Sequence, residues 1–248
     1  MQLPSVLERQ RLVNDGRFYL IMAIAAVILI FAGFSRTYYL KFLFPTSPAL
    51  SLLIHVHAFV FTAWMFYFII QTALIAVNRS SLHRTLGIAG AFLGSSMIAL
   101  GLAALFTGLQ HHRAGGAFDP ETIFLLGLGD LAAFSLFFIL GFLFRRDYEA
   151  HQRLMLLAVV TGLAGPAVGR LGFMGVATPL LTLISFSFLL AGPAYDFATR
   201  RRIHYVYVYG CIFAIVTAPP LRVAVASTAW WHNVAHVIVG MPGTFLKT

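Results

Sequence analysis

The sequence predicts an all-α fold: a polytopic bundle of about seven transmembrane helices that forms a single domain over residues 1–248. The first observation behind this prediction is composition, because 60% of the 248 residues are hydrophobic and only 10% are charged. The second is the mean hydropathy of +0.86, which is too high for a chain with a charged, water-exposed surface. The third is that the apolar residues occur in long uninterrupted blocks, as expected where lipid is the solvent.

Seven apolar blocks have the length of membrane-spanning helices. A hydrocarbon core of about 30 Å requires about 20 helical residues, and backbone inside lipid must satisfy its own hydrogen bonds in helices or closed barrels. The blocks are too long and too continuously apolar for barrel strands. The predicted spans lie near residues 18–35, 50–77, 86–108, 121–144, 153–174, 178–197 and 204–218.

The first apolar block and the end of the last one have features that the other blocks lack. The first block, 18–35, is longer than the apolar region of a signal peptide and is followed by no clear small-residue cleavage site, so a retained helix is expected. The Pro219-Pro220 pair is expected to end the last span, because proline cannot donate a helix hydrogen bond. The segment 228–240 is amphipathic and contains two adjacent tryptophans, which predicts a helix lying flat at the membrane interface.

The basic residues predict the orientation of the bundle. With seven spans, eleven of the 17 Lys and Arg residues fall on the side of the amino terminus and six fall on the other side. The positive-inside rule makes the amino terminus cytoplasmic. The net charge of +9 is attributed to this topology, so no nucleic-acid partner is expected. The first group is Arg9, Arg11, Arg17, Arg79, Arg84, Arg145, Arg146, Arg153, Arg200, Arg201 and Arg202; the second is Arg36, Lys41, Arg113, Arg170, Arg222 and Lys247.

The second predicted helix carries a polar stripe. His57, Trp64, Gln71 and Asn78 recur at intervals of seven residues, so they share one helix face, which is expected to face the bundle interior. His55 is two positions from His57 and lies on a different face, so a regular helix cannot aim both at one ion. His57 is the candidate functional residue, and a hydrogen bond from His57 to a neighbouring helix is the alternative.

An ionisable residue in the fourth predicted helix is the next candidate. Asp130 lies within the span, where an acid costs about 2.5–3.5 kcal/mol on insertion scales, so it is a functional candidate by default. Counted from the outer face, Asp130 and His57 lie at similar depth, and Arg170 and Arg222 can reach that level. These residues predict a buried polar cluster, with a structural ion pair as the alternative. A metal site on this side would draw its ligands from His55, His57 and Asp130.

Three histidines, His83, His151 and His204, stand at the cytoplasmic starts of predicted helices. A bis-histidine b-type haem needs two histidines at one depth on separate helices, so His83 and His151 are candidate haem ligands. Solvation or headgroup contact is the alternative for a histidine at an interface. The single cysteine, Cys211, lies inside an apolar block, and the chain has no CxxCH motif for covalent haem attachment.

Two further histidine pairs lie on the opposite side. His111 and His112 fall in a predicted loop, while His232 and His236 are spaced four apart on the C-terminal helix. That spacing suits a metal pair on one helix face, but no Cys, Asp or Glu adjoins it in the sequence. An adventitious site is the favoured interpretation.

Six segments of the chain carry a resemblance: FSRTYY from Phe34, the segment from His55 through Trp64 and Gln71, LHRTLG from Leu82, GDL from Gly129, AHQRLM from Ala150 and PLR from Pro220. They resemble segments of a family of uncharacterised bacterial polytopic membrane proteins with about seven helices. The resemblance covers the chain from about residue 18 to 225, and it implies the same topology, the same candidate residues and a location in the bacterial cytoplasmic (inner) membrane, without an activity. A looser likeness in layout links the chain to membrane b-type cytochromes and to proteins that assemble respiratory oxidases.

The sequence-based hypothesis is a redox-type membrane protein that binds a cofactor, haem b or a transition-metal ion, through intramembrane histidines. The candidate ligands are His57 with Asp130 nearby on the outer side, or His83 with His151 on the inner side. One alternative is a non-enzymatic assembly or structural subunit of a respiratory complex, with other membrane subunits as partners. Another is a small-solute or proton-coupled transporter that uses Asp130, His57 and Arg170 as a polar relay. The lipid bilayer is the partner common to all three, and whether the chain is an enzyme stays open.

Overall fold

The computed structural model describes residues 6–44, 49–110 and 118–240, and these residues are helical without a β-strand. The all-α prediction is therefore confirmed. Within the described residues the helices are α1 Val6–Phe34, α2 Leu52–Ala76, α3 Ser80–Gln110, α4 Pro120–Leu143, α5 Tyr148–Val159, α6 Gly165–Phe173, α7 Thr178–Arg200, α8 Tyr205–Val216, α9 Pro219–Ala226 and α10 Ala229–Gly240.

Seven helical segments of the described chain are long and apolar enough to cross a membrane. The chain is therefore a multi-pass membrane protein, as the sequence predicts. Large apolar side chains such as Ile21, Phe92 and Leu183 are exposed on the outside of the bundle, which suits contact with lipid and would be a liability in water. The spans are Val13–Tyr39, Leu52–Ala76, Ser80–Leu109, Pro120–Leu143, Tyr148–Phe173, Thr178–Arg200 and Tyr205–Ala226.

The first helix lies at the centre of the packing. α1 begins at Val6, well before the predicted start at residue 18, because an established helix extends through polar residues at little cost. Ala23 and Ala26 are fully buried. A Cβ atom on Gly33 would overlap the backbone of Ala167, so only glycine allows α1 and α6 to approach this closely.

The fifth span contains a π-helical turn that the sequence did not reveal. Val160–Ala164 forms this turn between α5 and α6. Pro166 has no N–H and its ring crowds the preceding turn, so the helix widens locally instead of breaking. A Cβ atom on Gly162 would lie 2.7 Å from Cα and 2.8 Å from N of Phe134, so this glycine packs directly on the backbone of α4.

The last span continues beyond the Pro219-Pro220 pair, where the sequence predicted its end. α8 stops at Val216, but Pro219 opens α9, and the two helices together form one span. Proline is well tolerated in the first turn of a helix, because the N–H groups there have no intrahelical partner. The extra helix carries Arg222 back against α4.

The predicted C-terminal helix is present as α10, and its two tryptophans have different environments. Trp230 is 65% exposed, whereas Trp231 is 4% exposed and packs on Phe124 of α4. The indole N–H of Trp231 donates to the backbone carbonyl of Glu121 at 3.2 Å, and the Glu121 carboxylate contacts Nδ1 of His232. The helix is therefore docked on the start of α4 through one face.

Candidate haem site and polar clusters

The candidate residues divide between the two ends of the bundle. We call the end with the α2–α3 and α4–α5 connections the proximal end, and the opposite end, with the α1–α2 and α3–α4 connections, the distal end. Candidate haem ligands lie at the proximal end, and Asp130, Arg170 and Arg222 lie at the distal end.

His83 in the first turn of α3 and His151 in the first turn of α5 lie side by side at the proximal end. Their ring centroids are 6.1 Å apart and their planes are inclined by 76°. Each histidine follows a short connection between antiparallel helices, so two neighbouring helical hairpins present them at the same level. The structure thus brings together the two histidines that the sequence selected as haem ligands.

Both rings are held by the same kind of hydrogen bond to the preceding helix. Nδ1 of His83 lies 3.3 Å from the carbonyl oxygen of Gln71, and Nδ1 of His151 lies 2.7 Å from the carbonyl oxygen of Gly141. Because a carbonyl can only accept, these bonds assign the proton of each neutral ring to Nδ1. The lone pair is then on Nε2, which is the tautomer that metal-ligating histidines adopt.

Gln71 connects the polar stripe of α2 to His83. Besides its carbonyl, the side-chain Nε2 of Gln71 donates to Tyr67 Oη at 2.6 Å, and this hydroxyl donates to the backbone carbonyl of Leu86. Gln71 is buried, and its Oε1 atom has no hydrogen-bond partner among the described residues. These bonds join α2 to α3 beside His83.

The other members of the predicted stripe have structural roles. Trp64 is buried, stacks on Phe68 and meets Phe134 edge-on, each at a centroid distance of 5.3 Å. Asn78 lies beyond the end of α2 with a left-handed backbone (φ 59°) and is exposed. Asparagine tolerates that conformation at a helix end, so the stripe stops at Gln71.

At the distal end, Asp130 of α4 forms an ion pair with Arg222 of α9. The Nη2–Oδ1 distance is 2.8 Å, and Nη1 of Arg222 also donates to the backbone carbonyl of Leu126. A Cβ atom on Gly129 would overlap the arginine side chain, so this glycine makes room for the pair. The contact between Asp130 and Arg222 depends on α9, which brings the arginine to the side of α4.

His57 and Arg170 lie beside this ion pair. The His57 ring is 4.1 Å from the Phe61 ring and interacts with the backbone of Leu100. Arg170 is close enough to act electrostatically on both His57 and Asp130. The predicted histidine, acid and arginine therefore share one region, in which the acid is already paired.

His55, His57 and Asp130 do not come together as a metal site. His55 is exposed and its Nδ1 lies 3.4 Å from Tyr38 Oη, whereas Asp130 is engaged by Arg222. No group of three or more His, Cys, Asp and Glu residues suited to a metal ion occurs in the part of the chain that the structure describes.

The His232–His236 pair gains an acidic neighbour that is distant in the sequence. His232 Nδ1 contacts Oε2 of Glu121, and His236 Nε2 lies 3.9 Å from Oε1 of the same carboxylate. This contact helps to dock α10 on α4. His111 and His112 lie outside the described residues.

A second polar cluster at the proximal end was not predicted. Arg153 Nε and Nη2 donate to the two carboxylate oxygens of Asp196 at 2.8 and 2.7 Å, and both side chains are 0% exposed. Arg200 Nη1 also reaches Asp196, at 3.0 Å. In the sequence, Arg153 and Arg200 are two of the basic residues that predict the orientation of the bundle, and no buried partner is expected for them. The spacing of four residues between Asp196 and Arg200 was the available signal.

The same cluster includes an acid from the first helix. Asp15 is buried and accepts hydrogen bonds from Tyr148 at 2.9 Å, from Tyr195 at 3.0 Å and from Arg200. These bonds join α1, α5 and α7. We call Asp15, Tyr148, Arg153, Tyr195, Asp196 and Arg200 the proximal network.

His204, the third candidate at a cytoplasmic helix start, belongs to this network and not to the histidine pair. Its side-chain Nδ1 accepts a hydrogen bond from the Val206 N–H at 3.3 Å, so His204 is the N-cap of α8. The backbone N–H of His204 donates to the Asp196 carboxylate at 3.2 Å. Burial, followed by the positive charge of Arg153, lowers the pKa of His204 below its ordinary value. His204 is therefore a neutral capping residue.

We call His57, Asp130, Arg170 and Arg222 the distal cluster. The candidate sites for chemistry are therefore the His83–His151 pair, the distal cluster and the proximal network. Comparison of the chain with protein-family models, with curated proteins and with solved structures finds no match in any of the three.

Proposed function

We propose that this membrane protein binds haem b through His83 and His151 and acts in electron transfer. The observation that carries the proposal is the pair of rings 6.1 Å apart, each with Nδ1 bonded to a backbone carbonyl. Two neutral imidazoles this close on separate helices would supply the pair of protein ligands that a b-type haem requires.

The donor set favours haem over a bare metal ion. A structural zinc ion needs four ligands, and the described residues contain no cluster of three candidate ligands. Haem brings four equatorial nitrogens of its own, so two histidines suffice to complete the coordination of its iron. A haem with two axial histidines supplies a one-electron couple and has no open position for a substrate, which is why electron transfer is proposed.

The surrounding residues would orient the ligands. The carbonyls of Gln71 and Gly141 fix the planes of the two rings and raise the basicity of their Nε2 atoms. The Gln71–Tyr67 bond in turn holds the α2 backbone that supports His83.

A spectrum of the protein purified in detergent from haem-replete cells tests the proposal. A Soret band that shifts on reduction, with near-stoichiometric iron, is expected for the wild type. His83→Ala and His151→Ala should each lose the band, while the exposed His55→Ala serves as the matched control and keeps it. A wild type without the band, or with zinc or copper instead of haem iron, overturns the haem assignment.

A further variant separates ligation from a structural role. Methionine is an axial ligand of haem iron and raises its potential, so His151→Met should retain haem with a more positive midpoint potential. If His151 only braces α5 against α4, haem content and potential stay at wild-type values in this variant.

The proposal also includes location: the bacterial cytoplasmic membrane, with the proximal end towards the cytoplasm. The excess of basic residues on that side supports this orientation. In a Cys211→Ser background, a membrane-impermeant thiol reagent applied to intact cells should label Ser227→Cys and not Arg201→Cys. Labelling at position 201 and not at position 227 would show that the proximal end faces outward and would contradict the proposed orientation.

A further inference from the structure

The distal cluster carries an excess of positive charge among the membrane-spanning helices. His57, Asp130, Arg170 and Arg222 come from four different helical elements. Asp130 and Arg222 neutralise each other through their 2.8 Å ion pair. The positive charge of Arg170 is therefore not balanced within the cluster.

Arg170 forms no ion pair within 4 Å with an acid of the described residues, although Asp130 is close enough to act on it electrostatically. Its Nη1 donates to the carbonyl of Pro166, one turn back in α6, at 3.3 Å, and its guanidinium carbon lies 4.1 Å from the centre of the Phe34 ring. An arginine near the end of a span normally extends towards the headgroups to stay hydrated. The Arg170 guanidinium is instead held against its own helix and the Phe34 ring of α1.

Hydrogen-bonding atoms beside Arg170 are also unused. His57 Nδ1 and Arg222 Nε are buried and have no hydrogen-bond partner in the described part of the chain. A buried polar atom without a partner costs about 1–3 kcal/mol, so a ligand that bonds to these atoms would be favoured.

The α6 face beside Asp130 carries glycine in place of larger side chains. A Cβ atom on Gly165 would meet only Asp130 Oδ1, at 3.7 Å, and one on Gly169 would meet no heavy atom within 4 Å. The two glycines are four residues apart on one face of α6, and Gly169 is exposed, so this face leaves the Asp130 side chain open to a ligand from outside the bundle.

We infer that the distal cluster binds a singly charged phosphate group, with the Arg170 guanidinium as its counter-ion. One negative charge would balance the excess of the cluster, and phosphate oxygens accept the charged hydrogen bonds that arginine donates in pairs. The unpartnered Nε of Arg222 would donate a further hydrogen bond from α9. The phosphate belongs either to the headgroup of an anionic lipid or to free phosphate in solution, and both have the same recognition chemistry.

Binding to the purified protein distinguishes the two sources. One arm titrates inorganic phosphate into protein in neutral detergent; the other titrates phosphatidylglycerol, with phosphatidylcholine as the zwitterionic comparison. Both follow the melting temperature, which rises with the concentration of a ligand that binds the folded state. Stabilisation by phosphatidylglycerol alone identifies a lipid site, and stabilisation by phosphate identifies a site for the free ion.

Arg170→Gln tests the residue at the centre of the inference. Loss of a charge-assisted contact should weaken binding of the stabilising probe at least tenfold. Arg36→Gln is the matched control, because Arg36 also lies over a phenylalanine ring at the distal end but is exposed. Equal weakening in both variants would mean surface attraction and would overturn the site.

Two further outcomes test the inference. Arg170→Lys keeps the charge but not the paired donors, so its affinity should lie between those of the wild type and Arg170→Gln. A wild-type protein that is stabilised by neither phosphate nor phosphatidylglycerol overturns the inference directly.

Discussion

Arg153 and Asp196 form a two-pronged ion pair between α5 and α7, and both side chains are completely excluded from solvent. In such a place an ion pair adds little net stability, but the loss of one partner leaves a buried charge without compensation. Arg200 and Asp15 extend the pair towards α1, so three helices depend on one set of charges.

Asp196→Ala should destabilise the fold by about 3–5 kcal/mol, because the buried Arg153 then loses its two-pronged partner and keeps only Glu149, 3.7 Å away, as an acidic neighbour. The measurement is the midpoint of unfolding in detergent. The double variant Arg153→Met, Asp196→Leu, which removes both charges, should recover most of the loss. A double variant as unstable as the single one would contradict the charge argument.

Gly162→Ala should destabilise the bundle by about 1–3 kcal/mol, because the added methyl group meets the backbone of Phe134 in α4. The control is Gly108→Ala in α3, where an added Cβ has no neighbour within 4 Å. Alanine has the higher helix propensity, so the control should be neutral or slightly more stable. Equal melting temperatures for the two variants would rule out close packing of α4 against the π-helical turn.

Stability should fall as the pH is lowered through the ordinary histidine range, and His204 should contribute. Its pKa in the folded protein is below the ordinary value of 6.5, mainly because the side chain is partly buried, so the unfolded chain takes up its proton first. Its contribution is complete above about pH 6.5 and is lost as the pH falls towards the lowered pKa. Protonation of Nδ1 also ends the bond from the Val206 N–H.

His204→Asn checks this prediction, because asparagine caps a helix without titrating. The melting temperature of the variant should match the wild type at pH 7.5 and fall less at pH 5. His204→Ala, which removes the cap, should cost about 1 kcal/mol at both pH values. An unchanged pH dependence in His204→Asn would remove His204 from the effect.

Trp231→Ala should loosen α10, whereas Trp230→Ala should have little effect. Trp231 is 4% exposed against α4 and Trp230 is 65% exposed, so truncation leaves a cavity only at Trp231. The free energy that holds α10 against α4 should fall by about 1–3 kcal/mol in Trp231→Ala. Limited proteolysis and hydrogen exchange in α10 measure it, and similar protection in both variants would show that α10 is not docked through Trp231.

Helix positions and one site were accessible from the sequence because their signals are local. Apolar length located the seven spans, and the position of each histidine after a short connection predicted that His83 and His151 share one level. Asp130 was conspicuous because an acid is costly inside a span. Its partner Arg222 was within predicted reach, although α9 was not foreseen.

The proximal network was missed because its pairings are distant in the chain. Arg153 and Asp196 are separated by 43 residues, and Asp15 and Arg200 by 185. Arginine near a helix end has an ordinary explanation in membrane topology, so the four-residue spacing of Asp196 and Arg200 is the one local signal of this network. The docking of α10 depends likewise on Glu121, which is 111 residues from His232.

The bond between Asp15 and Arg200 has a consequence for biogenesis. Asp15 leaves the ribosome 185 residues before Arg200, so α1 is inserted before its counter-ion has been synthesised. Until α7 arrives, the carboxylate must stay at the membrane surface or be held by the insertion machinery. Closure of the bundle around α1 is therefore a late step, and a chain stalled before α7 would expose an unpaired acid that quality control can recognise.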